Sequence, residues 1–143
     1  MINMTAPTIA DALEAVEYSR KSVYCSEEIT AKTILDHPWN VSLKDSEGKL
    51  GVITGLTLIR PGVAEGWAVT TENLLKHPVA YTRQMRIIVR EVFTQFRLHR
   101  LQIHVKCEAS LIKWAIALGF TVEGTLKSFG KNKEDYYIVG RII

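Results

Sequence analysis

Hydrophobic residues recur with a helical period in one long stretch of the chain, between residues 79 and 97. They are spaced at i, i+3, i+4, i+7, i+8 and i+11, which places them on one face of an α-helix. The stripe consists of Met85, Ile88, Val89, Val92, Phe93 and Phe96. The pattern therefore predicts a long amphipathic helix over 79–97 with a buried apolar face.

Two shorter helices are predicted at the N-terminal end. Asp11 is a candidate N-cap for the first, and Ser26 begins the second, which ends before Pro38. The positions expected to face inward are Leu13, Val16 and Val23 in the first helix and Ile29, Ile34 and Leu35 in the second. The N-terminal part of the chain is therefore expected to be helical.

Three strands are predicted next, at 40–43, 50–59 and 65–70. A polar turn, Asp45-Ser46-Glu47-Gly48, separates the first two, and Pro61-Gly62 separates the second from the third. The middle strand is almost wholly apolar, which is typical of a strand covered on both faces. The three segments predict a β-meander.

The C-terminal part is expected to mix strands with one helix. Residues 101–106 alternate as a strand, 110–118 form a helix that stops at Gly119, and 121–129 pair with 135–143. The whole order is helix, helix, three strands, helix, strand, helix, two strands (ααβββαβαββ). This order predicts an α/β (α+β) fold with a mixed central sheet flanked by helices.

Length and hydropathy narrow the class of protein. With 143 residues, 47% of them hydrophobic, the chain is long enough for one core, and we expect a single domain over 1–143. The longest uncharged apolar run, 51–59, is far below the roughly 20 residues that span a bilayer. Residues 1–10 lack the basic and apolar regions of a secretory signal. We therefore expect a cytoplasmic protein without a membrane partner.

The cysteines and histidines predict no metal site. Cys25 and Cys107 lie in no C-x-x-C pair and no Cys/His cluster with zinc spacing. Reduced thiols are expected, with Cys107 buried by packing. His77 and His104 are expected to be ordinary polar residues, because neither has partners at ligand spacing.

Positive charge is concentrated in one part of the chain although the net charge is only +3. Residues 76–113 contain eight Lys or Arg against two acids. Four of these form a basic ridge on the long helix: Arg83, Arg86, Arg90 and Arg97. The ridge is a solvated surface, a site for an anionic ligand near Arg83, or a contact for an acidic protein or nucleic acid. Nucleic acid is the least expected partner, since no aromatic residues are interleaved for base stacking.

A sequence motif near the C-terminus resembles a known superfamily. The segment LGFTVEGTLK (118–127) is followed by Gly130 and by DYYIV (135–139). Together with the element order, this tail resembles the GNAT superfamily of acyl-CoA N-acyltransferases, in particular the branch that acetylates protein N-termini and related amines. The resemblance covers nearly the whole chain. It implies a GNAT-type fold, acetyl-CoA as co-substrate, and an amine-bearing protein or small molecule as acceptor.

A narrower resemblance connects the chain with GNAT-like proteins of bacteriophages. It rests on Trp67, Thr71, His77, Arg83, Trp114 and the LGF at 118–120, and on Arg20 with Glu28-Ile29 in the N-terminal helices. It implies a phage-type protein in the host cytoplasm or the virion. Such a protein is either an N-acetyltransferase or an inactive member that acts as a protein-binding or virion-associated module.

The GNAT resemblance also implies where the coenzyme binds. In this fold the strand before the long helix splays from its neighbour and binds the pantetheine amides, and the pyrophosphate lies on the amides at the helix N-terminus. The cofactor-binding residues implied here are Val69, Thr70, Thr71, His77, Val79, Ala80, Arg83 and Trp114. For Trp114, stacking on adenine competes with a simple role as a core anchor.

Three positions depart from the GNAT pattern. Val79 and Tyr81 stand where the family has the glycines of its phosphate loop, and we expect their side chains to crowd the pyrophosphate. Ala115 stands where many members have the tyrosine that protonates the departing thiolate. These departures favour the inactive alternative, so both functions stay open.

Catalysis by direct transfer needs a base for the amine and an acid for the sulfur. Glu65 and Glu108 are the carboxylates expected near the reaction, each alternatively a surface residue. Tyr137, or Tyr136 beside it, is the candidate acid, alternatively a packing residue. The strand at 135–143 ends at the C-terminus of the sequence, and we expect it to be available for pairing in a homodimer.

Overall fold

The computed structural model describes residues 1–21 and 31–143, with the side chains of 1–18 in the first range. The predictions for Val23, Ser26, Glu28 and Ile29 lie outside the described residues. The side chain of Arg20 also lies outside them.

Within the described residues the chain forms seven strands and five helices. The strands are β1 (Asn3–Thr5), β2 (Trp39–Lys44), β3 (Leu50–Arg60), β4 (Val63–Thr70), β5 (Arg100–Lys106), β6 (Thr121–Leu126) and β7 (Tyr136–Ile142). The helices are α1 (Ile9–Lys21), α2 (Ala31–Leu35), α3 (Glu72–Lys76), α4 (Pro78–Gln95) and α5 (Ala109–Ala117). The strand order in the sheet is β1-β2-β3-β4-β5-β7-β6. The β4–β5 pair is parallel, while β1–β2, β2–β3, β5–β7 and β6–β7 are antiparallel. The expected α/β (α+β) class with a mixed sheet is confirmed.

The described residues divide into two compact units, each made of two segments. The first unit comprises 1–57 and 67–81, and the second comprises 58–66 and 82–143. The single domain expected over 1–143 stays a prediction.

The first unit has a core of small and branched side chains from α1, α2, β3 and β4. Its buried members are Ala12, Ala15, Val16, Ile34, Leu50, Ile53 and Val69. Val16 and Ile34 were expected there, and Leu35 is partly buried against the same core. The expectation for Leu13 is wrong, because its side chain is 57% exposed and the adjacent Ala12 faces inward instead.

The start of α1 also differs from the expectation. The backbone N–H of Thr8 donates to Asp11 Oδ2 (3.0 Å), and the backbone N–H of Asp11 donates to Thr8 Oγ1 (3.1 Å). This exchange is a capping box with Thr8 as the N-cap and Asp11 one turn inside the helix. Asp11 therefore caps the helix as expected, but from a different position, and the helix begins at Ile9.

β3 is buried along most of its length and exposed at its end. Leu50 to Leu56 are all buried, whereas Thr57 to Arg60 are exposed. The expectation that both faces of this strand are covered is therefore confirmed for its first seven residues. It is wrong for Leu58 and Ile59, which are exposed. The preceding turn forms as predicted, since Asp45 Oδ1 accepts the backbone N–H groups of Glu47 and Lys49.

In the second unit the long helix has the predicted buried stripe. Met85, Ile88, Val89, Val92 and Phe93 are buried, and Phe96 is partly buried. The helix begins one residue earlier and ends two residues earlier than predicted. Its register is therefore confirmed.

The C-terminal strands form a three-stranded part of the sheet, with β7 between β5 and β6. Both edges of β7 are bonded, over Tyr136–Ile142 to β5 and over Tyr136–Gly140 to β6. The expectation that this strand pairs with a second subunit is therefore wrong.

The end of α5 confirms the stop at Gly119. Gly119 has φ 94°, its N–H donates to Ile116 O (2.9 Å), and the N–H of Phe120 donates to Ala115 O (3.1 Å). These two bonds are a Schellman motif, which needs a left-handed residue at this position. They satisfy carbonyls that the helix itself leaves free.

Among the described residues, no helix is long and apolar enough to cross a membrane.

Candidate functional site

Glu65 and His104 form a pair on neighbouring strands of the second unit. The parallel pairing joins Val63–Glu65 of β4 to Arg100–Gln102 of β5, with Glu65 opposite Gln102. Because side chains alternate along a strand, His104 lies on the same face as Gln102 and reaches Glu65. His104 Nδ1 is 3.1 Å from Glu65 Oε1. The carboxylate thus orients the imidazole through Nδ1, and Nε2 is the ring nitrogen outside this contact.

Aromatic rings border this pair on one side. The ring of Phe129 lies 4.9 Å from that of His104, and Tyr136 meets Phe129 edge-on at 5.2 Å. The side chains of His104 and Glu65 are 23% and 37% exposed. A partly exposed imidazole held by a carboxylate can take up a proton from a bound molecule or from water.

The other expected catalytic residues lie apart from this pair in the architecture. Glu108 is the N-cap residue of α5, where its carbonyl accepts the N–H of Ile112 (3.1 Å). Tyr137 is opposite Val105, so it lies on the sheet face opposite to His104. Tyr136 is buried and Tyr137 is half-buried. The structure therefore associates Glu65 with His104 and does not bring Tyr137 to the same face.

The expected pantetheine positions lie at the end of β4, in the first unit. Val69 is buried in that unit's core, and Thr70 is half-buried. Thr71 donates its N–H to Gly51 O (2.9 Å) and its hydroxyl to Leu50 O. Both donors of Thr71 are therefore bonded to β3, which leaves Val69 and Thr70 as the better candidates.

The first turn of α4 provides free backbone donors. Pro78 has no N–H, and the first helical bond runs from Tyr81 N–H to His77 O (3.2 Å). The N–H groups of Val79 and Ala80 precede this bond, so they have no acceptor within the helix. Such donors and the helix dipole together favour an anion.

Val79 and Tyr81, which stand where the GNAT family has the glycines of its phosphate loop, differ in burial. The Tyr81 side chain is fully buried in the first unit, and its hydroxyl accepts from Asn73 Nδ2 (2.9 Å). Burial raises the pKa of Tyr81, and the charge of Asp45 raises it further. The expectation that Tyr81 crowds a phosphate is therefore wrong. Val79 is 70% exposed, so crowding by its side chain stays a prediction.

Three of the remaining expectations concern side chains of the second unit. Trp114 Nε1 donates to Thr82 Oγ1 (3.0 Å), which ties α5 to α4 and agrees with a role as an anchor. Cys107 is exposed, so the expectation that packing buries it is wrong. Arg83 is exposed and lines a pocket beside α4.

The pair with Glu65 was not found from the sequence. Alternation along the strand indicates only that His104 points away from Ile103 and Val105. The pairing register of β4 with β5, which brings the carboxylate next to the ring, has no local signal. The described residues contain no group of three or more His, Cys, Asp or Glu that could hold a metal ion.

This architecture recurs in solved structures. A ribosomal-protein-S5-alanine acetyltransferase from Vibrio fischeri matches with a TM-score of 0.76 and 16% identity, over 99% of this chain and 92% of that one. A spermidine N-acetyltransferase SpeG chimera from Vibrio cholerae and hSSAT matches with a TM-score of 0.78 and 14% identity, over 99% and 95%. An acetyltransferase of the GNAT family from Bacillus anthracis matches with a TM-score of 0.74 and 15% identity, over 99% and 94%.

The chain has the GNAT fold. The expected GNAT-type architecture is therefore confirmed over nearly the whole sequence. No protein-family model matches the sequence, and no curated protein matches it. At 14 to 16% identity, the likeness shows the fold alone.

Proposed function

We propose that this chain is an N-acetyltransferase that transfers the acetyl group of acetyl-CoA to an amine of a protein or small molecule. The observation that carries the proposal is the full-length agreement of its fold with solved acetyltransferases. A fold alone does not define a reaction, so the local geometry has to support it. The phage-type origin belongs to the same proposal and rests on the narrower resemblance.

The coenzyme would bind at the end of β4 and the start of α4. Backbone groups of Val69 and Thr70 would bind the pantetheine amides. The N–H groups of Val79 and Ala80 would bind the pyrophosphate, with charge added by Arg83. The burial of Tyr81 supports this, because its ring packs against Gly51 of β3.

His104 would be the general base, positioned by Glu65. The neutral imidazole Nε2 takes a proton from the acceptor ammonium, and the free amine attacks the thioester carbonyl carbon. The carbon–sulfur bond then breaks while the nitrogen gives up its second proton to water, giving an amide and a thiolate. His104 carries the proton while Glu65 stabilises the imidazolium. Tyr137, the residue predicted as the acid, lies on the sheet face opposite to His104, so water would protonate the thiolate. Glu108 is an alternative carboxylate base acting through water.

The inactive alternative has one observation in its favour. Ala115 is buried, so the position that has the acidic tyrosine in many GNAT members cannot supply an acid here. In that case the fold would serve as a protein-binding or virion-associated module. The two functions differ in their requirement for coenzyme.

Titration calorimetry with acetyl-CoA tests the proposal. We expect saturable heat with micromolar affinity, and we expect Arg83→Glu to weaken it because the substitution places a carboxylate near the phosphates. Lys113→Glu, which makes the same charge change on α5, is the matched control and should change the affinity much less. Absence of heat at millimolar coenzyme would contradict the transferase and favour the binding module. Unchanged affinity in Arg83→Glu would contradict only the assignment of the phosphate position.

A further inference from the structure

A basic pocket lies in the second unit beside α4 and the end of α5. Its volume is about 430 Å³. Arg83, Arg86 and Arg90 of α4 and Arg141 of β7 line it, and its lining contains no Asp or Glu. Four arginines therefore line one space without an acid among them.

Two of these arginines have a structural role. Arg86 Nε donates to Ala117 O (2.7 Å), and Arg141 Nη1 donates to Leu118 O (3.2 Å). Both bonds satisfy carbonyls at the C-terminal end of α5, a common role of arginine. Arg141 also lies over the ring of Phe93, 5.7 Å from its centroid. The two side chains are therefore held in place, and each retains further N–H donors.

That role does not account for Arg83 and Arg90. Both are exposed. The ion pairs found in the described part of the chain include neither of them. Arg83, Arg86 and Arg90 follow each other at spacings of three and four residues, so they are neighbours on the helix surface and repel one another. An anion in the pocket would relieve this repulsion.

We propose that the pocket binds a small phosphorylated molecule. Guanidinium groups match phosphate oxygens with paired N–H donors, and four of them are suited to a diphosphate. Ile87, Ile116 and Leu118 also line the pocket and provide apolar surface for the rest of the ligand. The volume falls in the range of about 300–1,000 Å³ that small-molecule sites occupy.

The pocket shares Arg83 with the proposed coenzyme phosphate position and otherwise consists of different residues. That position is the first turn of α4, at Val79 and Ala80, whereas the pocket extends from Arg83 to Arg90. A nucleic acid is disfavoured, because no aromatic residue lines the pocket for base stacking and Arg97 is not part of it. The proposal does not depend on acetyl transfer, so either can fail without the other.

Titration calorimetry of inorganic pyrophosphate at constant ionic strength tests the site. We expect binding with one site per chain. Arg90→Gln removes a charged hydrogen-bond donor and should weaken the affinity by about tenfold or more. Arg97 was predicted to lie on the long helix but follows its last residue, Gln95. Arg97→Gln therefore removes the same charge just beyond α4 and outside the pocket, and it should change the affinity by less than about twofold. With acetyl-CoA saturating its own position, which shares Arg83, the part of the pyrophosphate binding that depends on Arg90 should remain.

Several outcomes would overturn the proposal. They are no binding at millimolar pyrophosphate, equal weakening in Arg90→Gln and Arg97→Gln, or complete loss of the Arg90-dependent binding when acetyl-CoA is saturating. Tighter binding of a short RNA that requires Arg97 would assign the surface to nucleic acid instead. If Arg90→Gln does not fold by circular dichroism, Arg90→Lys keeps the charge, loses the paired donors, and should still weaken binding more than Arg97→Lys does.

Discussion

At the scale of single residues, one contact changes the role that is assigned to His104. By its sequence it is an unremarkable polar residue on a strand. In the structure Glu65 Oε1 lies 3.1 Å from its Nδ1. The imidazole is thereby oriented with one nitrogen on a carboxylate and the other outside that contact, which is the arrangement a general base needs.

We expect His104→Gln to lower kcat by roughly 10²- to 10⁴-fold, the usual contribution of a general base. Glu65→Gln should lower kcat less, because it removes only the orientation of the ring and its carboxylate neighbour. Steady-state kinetics across pH with acetyl-CoA and an amine acceptor would measure both effects.

The control for this pair is Glu108→Gln, which leaves the Glu65–His104 contact intact. The kcat of Glu108→Gln should be close to that of the unsubstituted protein. If Glu108→Gln abolishes turnover while His104→Gln does not, the base has been assigned to the wrong residue.

Asp11 is the residue most involved in holding α1. Burial opposes its ionisation, but the N–H of Thr8 and the ion pair with Lys44 (3.1 Å) outweigh burial and lower the pKa of the carboxyl below 3.8. It also accepts a hydrogen bond from Ser42 (3.2 Å). A carboxyl whose pKa is lowered on folding stabilises the folded state fully above its unfolded pKa, and this contribution is lost as the pH falls through the folded pKa.

We therefore expect Asp11→Asn to lower the free energy of unfolding by about 1.5–3 kcal/mol at pH 7, the range for charged hydrogen bonds. The difference from the unsubstituted protein should diminish in acid, once the pH falls below that lowered pKa. Urea denaturation at neutral and acidic pH would measure it. Glu14→Gln, at an exposed position of the same helix, should have almost no effect. A difference for Asp11→Asn that is constant with pH would show that charge is not the cause.

At the scale of elements, the packing of β3 against the start of α4 depends on a glycine. A Cβ added at Gly51 would lie 2.1 Å from Tyr81 Cζ, well inside van der Waals contact. The Tyr81 ring occupies this space and reaches Asn73 with its hydroxyl. The burial that turns Tyr81 away from the helix terminus therefore requires the absence of a side chain at Gly51.

Gly51→Ala should destabilise the protein by about 1–3 kcal/mol, the usual cost of overpacking a core. Gly124→Ala is the matched control, because its added Cβ would make an ordinary 3.6 Å contact with Ile138 Cγ2. The double variant Gly51→Ala, Tyr81→Ala should lose less than the sum of its two single substitutions, because the ring that clashes is gone. Thermal and urea unfolding would measure all four variants. Strict additivity would argue against the packing of Tyr81 on Gly51.

The elements differ in how well local pattern predicts them. α4 was predictable because a buried stripe repeats over its whole length, and the end of α5 because Gly119 permits a left-handed turn. β1 and α3 were not predicted, since they have three and five residues and carry too few apolar positions to show a period. The inward face of α1 was misjudged at Leu13, because alanine contributes little to a hydrophobic pattern although Ala12 and Ala15 are buried.

At the scale of the whole molecule, ligand binding should raise the free energy of unfolding. A ligand that binds only the folded state at 100 times its dissociation constant adds about 2.7 kcal/mol to the free energy of unfolding. For a chain of this length, that corresponds to an increase in Tm of roughly 5–10 °C. We expect acetyl-CoA to raise the Tm by this amount in differential scanning fluorimetry. Arg83→Glu should show a smaller increase at the same concentration, and equal increases would contradict the coenzyme assignment.

The order of the strands in the sheet could not be predicted from the local sequence pattern. The segment that ends in β7 was expected to offer a free edge because it lies last in the sequence. β7 instead inserts between β5 and β6, which bonds both of its edges. Sequence order does not specify spatial order in a sheet, since pairing is decided by contacts between residues far apart in the chain.

The sequence by itself determined the class of fold, the register of α4, the turn at Asp45 and the stop at Gly119. Each of these depends on spacing within a few residues, where helix and strand periods and glycine conformations act directly. Only the tertiary structure decided that Glu65 meets His104, that Tyr81 turns inward onto Gly51, and that four arginines surround one pocket. These features join segments that are distant in sequence, and the free energy of such contacts exists only once the chain is folded.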